Sequence, residues 1–426
     1  MPDCSPGRAD LREGNGMIIV SIAILVAIFV AAVWLPVNMG LIGFAAALAL
    51  GVFGAGLPVK EVLTGFPADL FLTLLGITYL FGIASRNGAI DWLVARAAGL
   101  LGSHTAFLPL LVFMVAAVLT ALGAVGPAAV AIVAPIAMRF SRSHGFSPLM
   151  MGLLVVHGAQ AGSFSPISIY GGITAKVLSG SGIAPDAQYL FLASAAFNAA
   201  IAVLVWAFYA RREAATGAGH EGRVEVPVLG REGACTLVGL VALAAGALLF
   251  KVDIGFMALM VILALAIVAP RTQDGALKQV DWSTILLISG IVIYVTLLDK
   301  IGTLDAISAM IGQVGSATLA VLLLCYLAGV VSAFASSTAL LGVIIPLSLP
   351  ILAGGHLAVM PVVSAICIAN TIVDTSPFST NGALIVGNVA EDERPAMLRK
   401  LLVYAAIVVG IGPLVAWAAF VGLPNL

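Results

Sequence analysis

SPISIYGG (165–172) and SPFSTNGA (376–383) share the pattern S-P-x-S-x-x-G, and they lie 211 residues apart in a chain of 426. Each sits inside a long apolar stretch. Proline removes a backbone donor and glycine weakens a helix, so each octet predicts a break in a helix that is otherwise membrane-like. The surrounding chain is 62% hydrophobic and 9% charged, against about a quarter charged in soluble domains. The sequence therefore predicts an all-α polytopic membrane protein. The net charge of −1 gives no basis for nucleic-acid binding. Cys4, Cys235, Cys325 and Cys367 are far apart, with no C-x-x-C or histidine spacing that would suggest a metal site. No cofactor is expected.

A crossing needs roughly 20 apolar residues. Crossings are expected at 17–35, 39–57, 67–85, a broken segment at 147–180, and 188–210; then at 233–250, 254–269, 282–298, a broken segment at 357–389, and 401–424. The tail 1–16 precedes them, and a charged linker, 211–232, divides the halves. Residues 105–138 carry no charge and hold GAVGP (123–127) at their centre, which suits a re-entrant hairpin. A second stretch, about 316–355, is long enough for either a hairpin or two crossings.

The halves match beyond the opening motif. NMG (38–40) corresponds to DIG (253–255), Gly76 to Gly290, GAID (88–91) to GTLD (302–305), and Pro135 to Pro346. Collinear matches favour a hairpin at 316–355. They make 17–210 and 233–426 two repeats, each with five crossings, a hairpin and a broken helix. Five is odd, so the second repeat is expected inverted, giving about 10 crossings as in secondary transporters. With this count thirteen Lys and Arg fall on the side of Arg86, Arg139 and the linker, and five (Arg8, Arg12, Lys60, Lys251, Lys300) on the other. The positive-inside bias then places both termini outside a cytoplasmic membrane.

Non-helical backbone at mid-membrane depth must line an enclosed cavity. Four breaks are expected there: Gly123–Pro127, Gly162–Ser168, Ala335–Thr338 and Asp374–Asn381. Half-helix N-termini attract anions, and carbonyls and hydroxyls suit hard cations. The candidate binding residues are Gly126, Gly162, Ser163, Ser165, Pro166, Ser168, Ser337, Thr338, Asn370, Asp374, Thr375, Ser376, Pro377, Ser379, Thr380 and Asn381, with Ser336 beside them. Asp374 reads either as a functional intramembrane acid or as a cap for the amides after Pro377. His157 reads as an interhelical contact or as a substrate or proton contact. Gln160 and Asn370 either reach the cavity or tie helices together. Lys176, the one Lys or Arg within a proposed span, reads as a snorkelling lysine, and Asp91 and Asp305 as caps of interfacial helices. No H-E-x-x-H or G-x-S-x-G motif supports an enzyme.

These segments resemble the ion transporter superfamily, which includes the divalent-anion/sodium symporters. GSFSPIS (162–168) and DTSPFSTNGAL (374–384) are most similar to the MatC-type dicarboxylate (malonate) carriers. The resemblance spans both halves. It implies symport of a small dicarboxylate of three or four carbons with Na+ or H+, an elevator-type motion and a homodimer. It also implies sodium near Ser336, Ser337 and Thr375, with Ser336, Ser337 and Thr338 standing at the second hairpin motif. The first tip, Ala124 to Pro127, lacks the Ser-Asn-Thr of the symporters, so backbone carbonyls would have to serve there. A Na+/H+ antiporter or an inorganic oxyanion carrier on the same scaffold is the competing expectation.

Overall fold

The computed structural model describes residues 8–35, 37–100, 105–213, 228–250, 252–304, 306, 316–333, 337–353 and 357–423. Ala335, Ser336 and Asp305 lie outside the described residues, as do residues 1–7 and 214–227. Among the described residues the chain is helical and contains no strand. In chain order the helices are α1 (Arg8–Trp34), α2 (Met39–Ala49), α3 (Val59–Leu63), α4 (Ala68–Arg86), α5 (Ala89–Leu100), α6 (Leu108–Ala121), α7 (Gly126–His144), α8 (Pro148–Gly162) and α9 (Ile169–Gly180). They continue with α10 (Ala187–Glu213), α11 (Arg231–Leu249), α12 (Ile254–Val268), α13 (Trp282–Lys300), α14 (Ala317–Ser332), α15 (Ser337–Ala353), α16 (Val359–Ile372), α17 (Thr380–Gly387) and α18 (Arg394–Trp417). Six described stretches are long and apolar enough to cross a membrane, and several shorter apolar helices accompany them. This is the polytopic all-α membrane architecture that the composition calls for.

The helices are interrupted at the S-P-x-S sequences. α8 ends at Gly162 and α9 begins at Ile169; α16 ends at Ile372 and α17 begins at Thr380, with a 3₁₀ turn at Val373–Thr375 between. These interrupted helices are central. Every residue from Leu149 to Gly162 is buried, and 83% of the Val359–Gly387 window is buried against 22% of Ala187–Tyr209. A helix apolar on all sides belongs in the interior, while the outer helices turn apolar faces outward. α6 and α7 form one helical hairpin and α14 and α15 another. At 14 and 16 residues, α6 and α14 fall short of a full crossing.

Packing between the halves is reciprocal. α2 packs on α13 and α12 on α4; α9 packs on α15 and α17 on α7. The glycines matched in sequence lie at these crossings. A Cβ on Gly290 would sit 1.9 Å from the Gly40 carbonyl oxygen, and one on Gly40 would sit 1.9 Å from that of Leu286. In the other pair a Cβ on Gly76 would lie 2.8 Å from Ala258 Cβ and 3.4 Å from the Gly255 carbonyl oxygen. Small residues permit this close backbone approach, the usual device of helix packing in lipid.

Candidate functional site

The S-P-x-S-x-x-G motif builds the same local structure twice. Ser168 caps α9 by accepting from the Gly171 amide at 3.2 Å, and Ser379 caps α17 by accepting from Gly382 at 3.2 Å. Each hydroxyl donates back to the carbonyl of the motif's first serine, Ser168 to Ser165 at 2.8 Å and Ser379 to Ser376 at 2.7 Å. That carbonyl leaves no room for a side chain at the closing glycine. A Cβ would lie 2.1 Å from Ser165 O at Gly171 and 2.0 Å from Ser376 O at Gly382. The spacing is thus a fold requirement: the proline lies in the turn after one half-helix has ended, the second serine caps the next, and the glycine lets the turn close.

The hairpin turns lie against these breaks. In the first turn Gly123 has φ +116°, and its neighbour Ala121 accepts a hydrogen bond from Ser165 Oγ at 2.5 Å. Gly162 packs on α6, where a Cβ would be 2.0 Å from Ala117 O. In the second hairpin Ser337 donates to the Asp374 carboxylate, and its backbone carbonyl accepts from Asn370 Nδ2 at 2.9 Å. The tips also reach across the halves. Thr338 Oγ1 donates to the Tyr170 hydroxyl at 3.3 Å, and a Cβ on Gly126 would meet Asn381 Nδ2 at 3.8 Å.

Where these elements meet there is a polar cavity of about 40 Å³, room for a few waters. Pro127, Tyr170, Ser337, Thr338, Asp374, Ser379, Thr380 and Asn381 line it. Six of the residues singled out from sequence are therefore together here. Gly162, Ser163, Ser165, Pro166 and Ser168 do not line it; they shape the first break, and Ser163 Oγ donates to the Ala159 carbonyl of its own helix at 2.5 Å. Nor do Thr375, Ser376 and Pro377, which form the second break; Thr375 donates to Ile372 O at 3.4 Å and Ser376 accepts from the Phe378 amide at 3.3 Å. Tyr170 was not singled out, and Pro127 was named only as the end of the Gly123–Pro127 break. The signal for Tyr170 was its place in the motif, the position that Asn381 holds in the second copy.

Asp374 does not cap α17, since Ser379 does. Its carboxylate faces the second hairpin and the cavity. Among the described residues that line the cavity there is no Lys or Arg. The side-chain oxygens of Asn370 and Asn381 are buried without a partner among the described residues. A carboxylate with amide, hydroxyl and carbonyl oxygens is a donor set for a hard cation; among the described residues no group of three His, Cys, Asp or Glu offers a transition-metal site. His157 lies outside the cavity. Asn198 donates its amide to Ser194 O, so its Oδ1 accepts from His157 Nδ1 at 3.0 Å, while Tyr404 donates to His157 Nε2 at 2.7 Å. The imidazole ties α8, α10 and α18 together. Gln160 ties α8 to α16 through Thr371 O at 2.7 Å. Lys176 pairs with Asp69 of α4 at 2.5 Å, both about half exposed. At α5 it is Asn87 that accepts from the Ala89 amide, and Asp91 lies in the first turn.

Two interrupted helices with two hairpin turns pressed against the interruptions define a membrane transporter fold. The Alcanivorax borkumensis YdaH transporter, whose crystal structure is described as revealing an unusual topology, is similar at TM-score 0.61 over 85% of this chain and 88% of that one, with 13% identity, so the likeness is one of fold. Residues 16–163 match the family model described as the dicarboxylate carrier protein MatC N-terminus, which ties the first hairpin and α8 to the MatC-type resemblance read from the motifs. No curated protein matches the chain.

Proposed function

We propose that this protein is a secondary active carrier of small dicarboxylates, malonate- or succinate-like, driven by a Na+ or H+ gradient across the cytoplasmic membrane. The observation that carries the reading is that both hairpins, the second break and Tyr170 of α9 line one small polar cavity, which holds Asp374 and Asn381. Such a cavity offers a cation oxygen ligands, and a bound cation together with the N-termini of α9, α15 and α17 would offset the charge of a diacid. The MatC N-terminal match supports the choice of cargo. About 10 crossings in two inverted repeats, an elevator-type motion and a homodimer belong to the same proposal, and the reciprocal packing of the halves supports the repeats.

The test is uptake of labelled malonate and succinate into proteoliposomes, with sodium and pH gradients varied independently. Uptake that rises with one gradient supports the carrier; its absence for every C3–C4 diacid sinks it. Asp374→Asn is expected to change the ion or pH dependence of that uptake. A second reading, a Na+/H+ antiporter or inorganic oxyanion carrier, is favoured by Asp374 alone. It requires a sodium-driven pH change without any organic acid. An enzymatic reading finds no support at His157, whose two ring nitrogens are engaged by Asn198 and Tyr404.

A further inference from the structure

The cavity is built from two copies of one motif, yet its two sides differ. At the sixth motif position the second copy has Asn381, short and facing Gly126, whose added Cβ would meet nothing nearer than 3.8 Å. The first copy has Tyr170. Its ring is buried, packs on Phe164 with centroids 5.5 Å apart, and reaches α15 through the Thr338 hydroxyl. The tyrosine therefore forms a bar between α9 and α15.

Beyond that bar lies a second, larger cavity of about 260 Å³, walled by the same two helices and α13. Lys176 and Val177 of α9, Gly342 and Pro346 of α15, and Thr296 and Asp299 of α13 line it. At 1.5 Å rise per residue, Gly342 is about 6 Å past Thr338 along α15, and Lys176 about 9 Å past Tyr170 along α9. The small polar cavity and the larger one thus succeed each other along one seam, with the Tyr170–Thr338 contact between them. Lys176 is the cation on the far side, held in this structure by Asp69.

We propose that Tyr170 sets the length of diacid the site accepts, by closing the polar cavity against the space that holds Lys176. This rests on the dicarboxylate reading and deepens it. On this reading a short diacid is bound on the near side of the ring. A longer one must place its second carboxylate beyond it, where Lys176 would receive it by exchanging Asp69 for the ligand.

The test measures binding of linear C3 to C8 diacids to the purified full-length protein and to Tyr170→Asn, which copies the residue of the second motif. Wild type is expected to bind C3–C4 most tightly. Tyr170→Asn is expected to move the optimum by two or more methylenes and to change the C6-to-C3 affinity ratio at least tenfold. Tyr170→Phe keeps the ring and should keep the wild-type order. Lys176→Gln should erase the gain for long diacids in the Tyr170→Asn background. Should Tyr170→Asn fail to fold, Tyr170→Leu, which keeps apolar contact with Phe164 but stops short of Thr338, carries the same comparison. An unchanged length order in the shortened variant overturns the inference and leaves the carrier reading standing. An equal shift in Tyr170→Phe also overturns it, because the ring would then not be the barrier. No binding of any diacid to wild type removes the carrier reading itself, and this inference with it.

Discussion

Ser379 and Gly382 do different work from that suggested by a hydroxyl-rich pocket. The Ser379 hydroxyl is committed to capping α17 and to the Ser376 and Asp374 carbonyls. Its replacement by alanine is expected to lower stability by about 1 kcal/mol, the usual cost of a lost N-cap, as well as to affect transport. Gly382→Ala forces a methyl to 2.0 Å from the Ser376 carbonyl and should prevent the second break from forming. Gly126→Ala places its methyl at ordinary contact distance from Asn381 and should fold normally. Thermal melts of the three variants in detergent check this order, and a Gly382→Ala protein as stable as Gly126→Ala would refute it. The motif itself was legible because proline, serine and glycine act locally, through a missing donor, a cap and a missing Cβ. The role of Tyr170 was not, because it depends on where α15 lies, and nothing near residue 170 encodes that.

Among the helices, the apolar runs marked the middle of each long helix better than its ends: α1 begins at Arg8 and α18 at Arg394, both ahead of the runs at 17 and 401, because charged residues continue a helix that an apolar run does not report. The charge-free run 105–138 and the glycine-proline cluster within it mark α6, its turn and α7, and α8 ends at the glycine preceding the first S-P-x-S. Partner choice was harder to read. Thr338 of α15 reaches Tyr170 of the other half, and Gly126 of α7 faces Asn381; a hydrophobic pattern reports that a face is buried, not against which helix. The glycine pairs come nearest to an exception, since Gly40 with Gly255 and Gly76 with Gly290 were visible as matches before their contacts were known. Gly290→Ala puts a methyl 1.9 Å from backbone that cannot swing aside. The expected loss is at or above the top of the ~1–3 kcal/mol range for overpacking, read as a fall in melting temperature. Gly410→Ala, which meets no atom within 4 Å, should leave the melting temperature unchanged.

Across the whole molecule, the halves touch through two equivalent sets of contacts and are joined by a charged segment around residues 211–232. Separate polypeptides covering 1–213 and 228–426, expressed together, are expected to copurify and to melt within a few degrees of the intact chain. Failure to copurify would mean that the covalent connection, rather than the shared contacts, holds the halves in register. The crossing of Gly40 with Gly290 repeats that of Gly255 with Gly76, so one surface is used twice with the partners exchanged. That is the relation between subunits of a two-fold dimer. A half that carried both of these surfaces could pair with a second copy of itself, and joining two such copies would add no interface, only a tether.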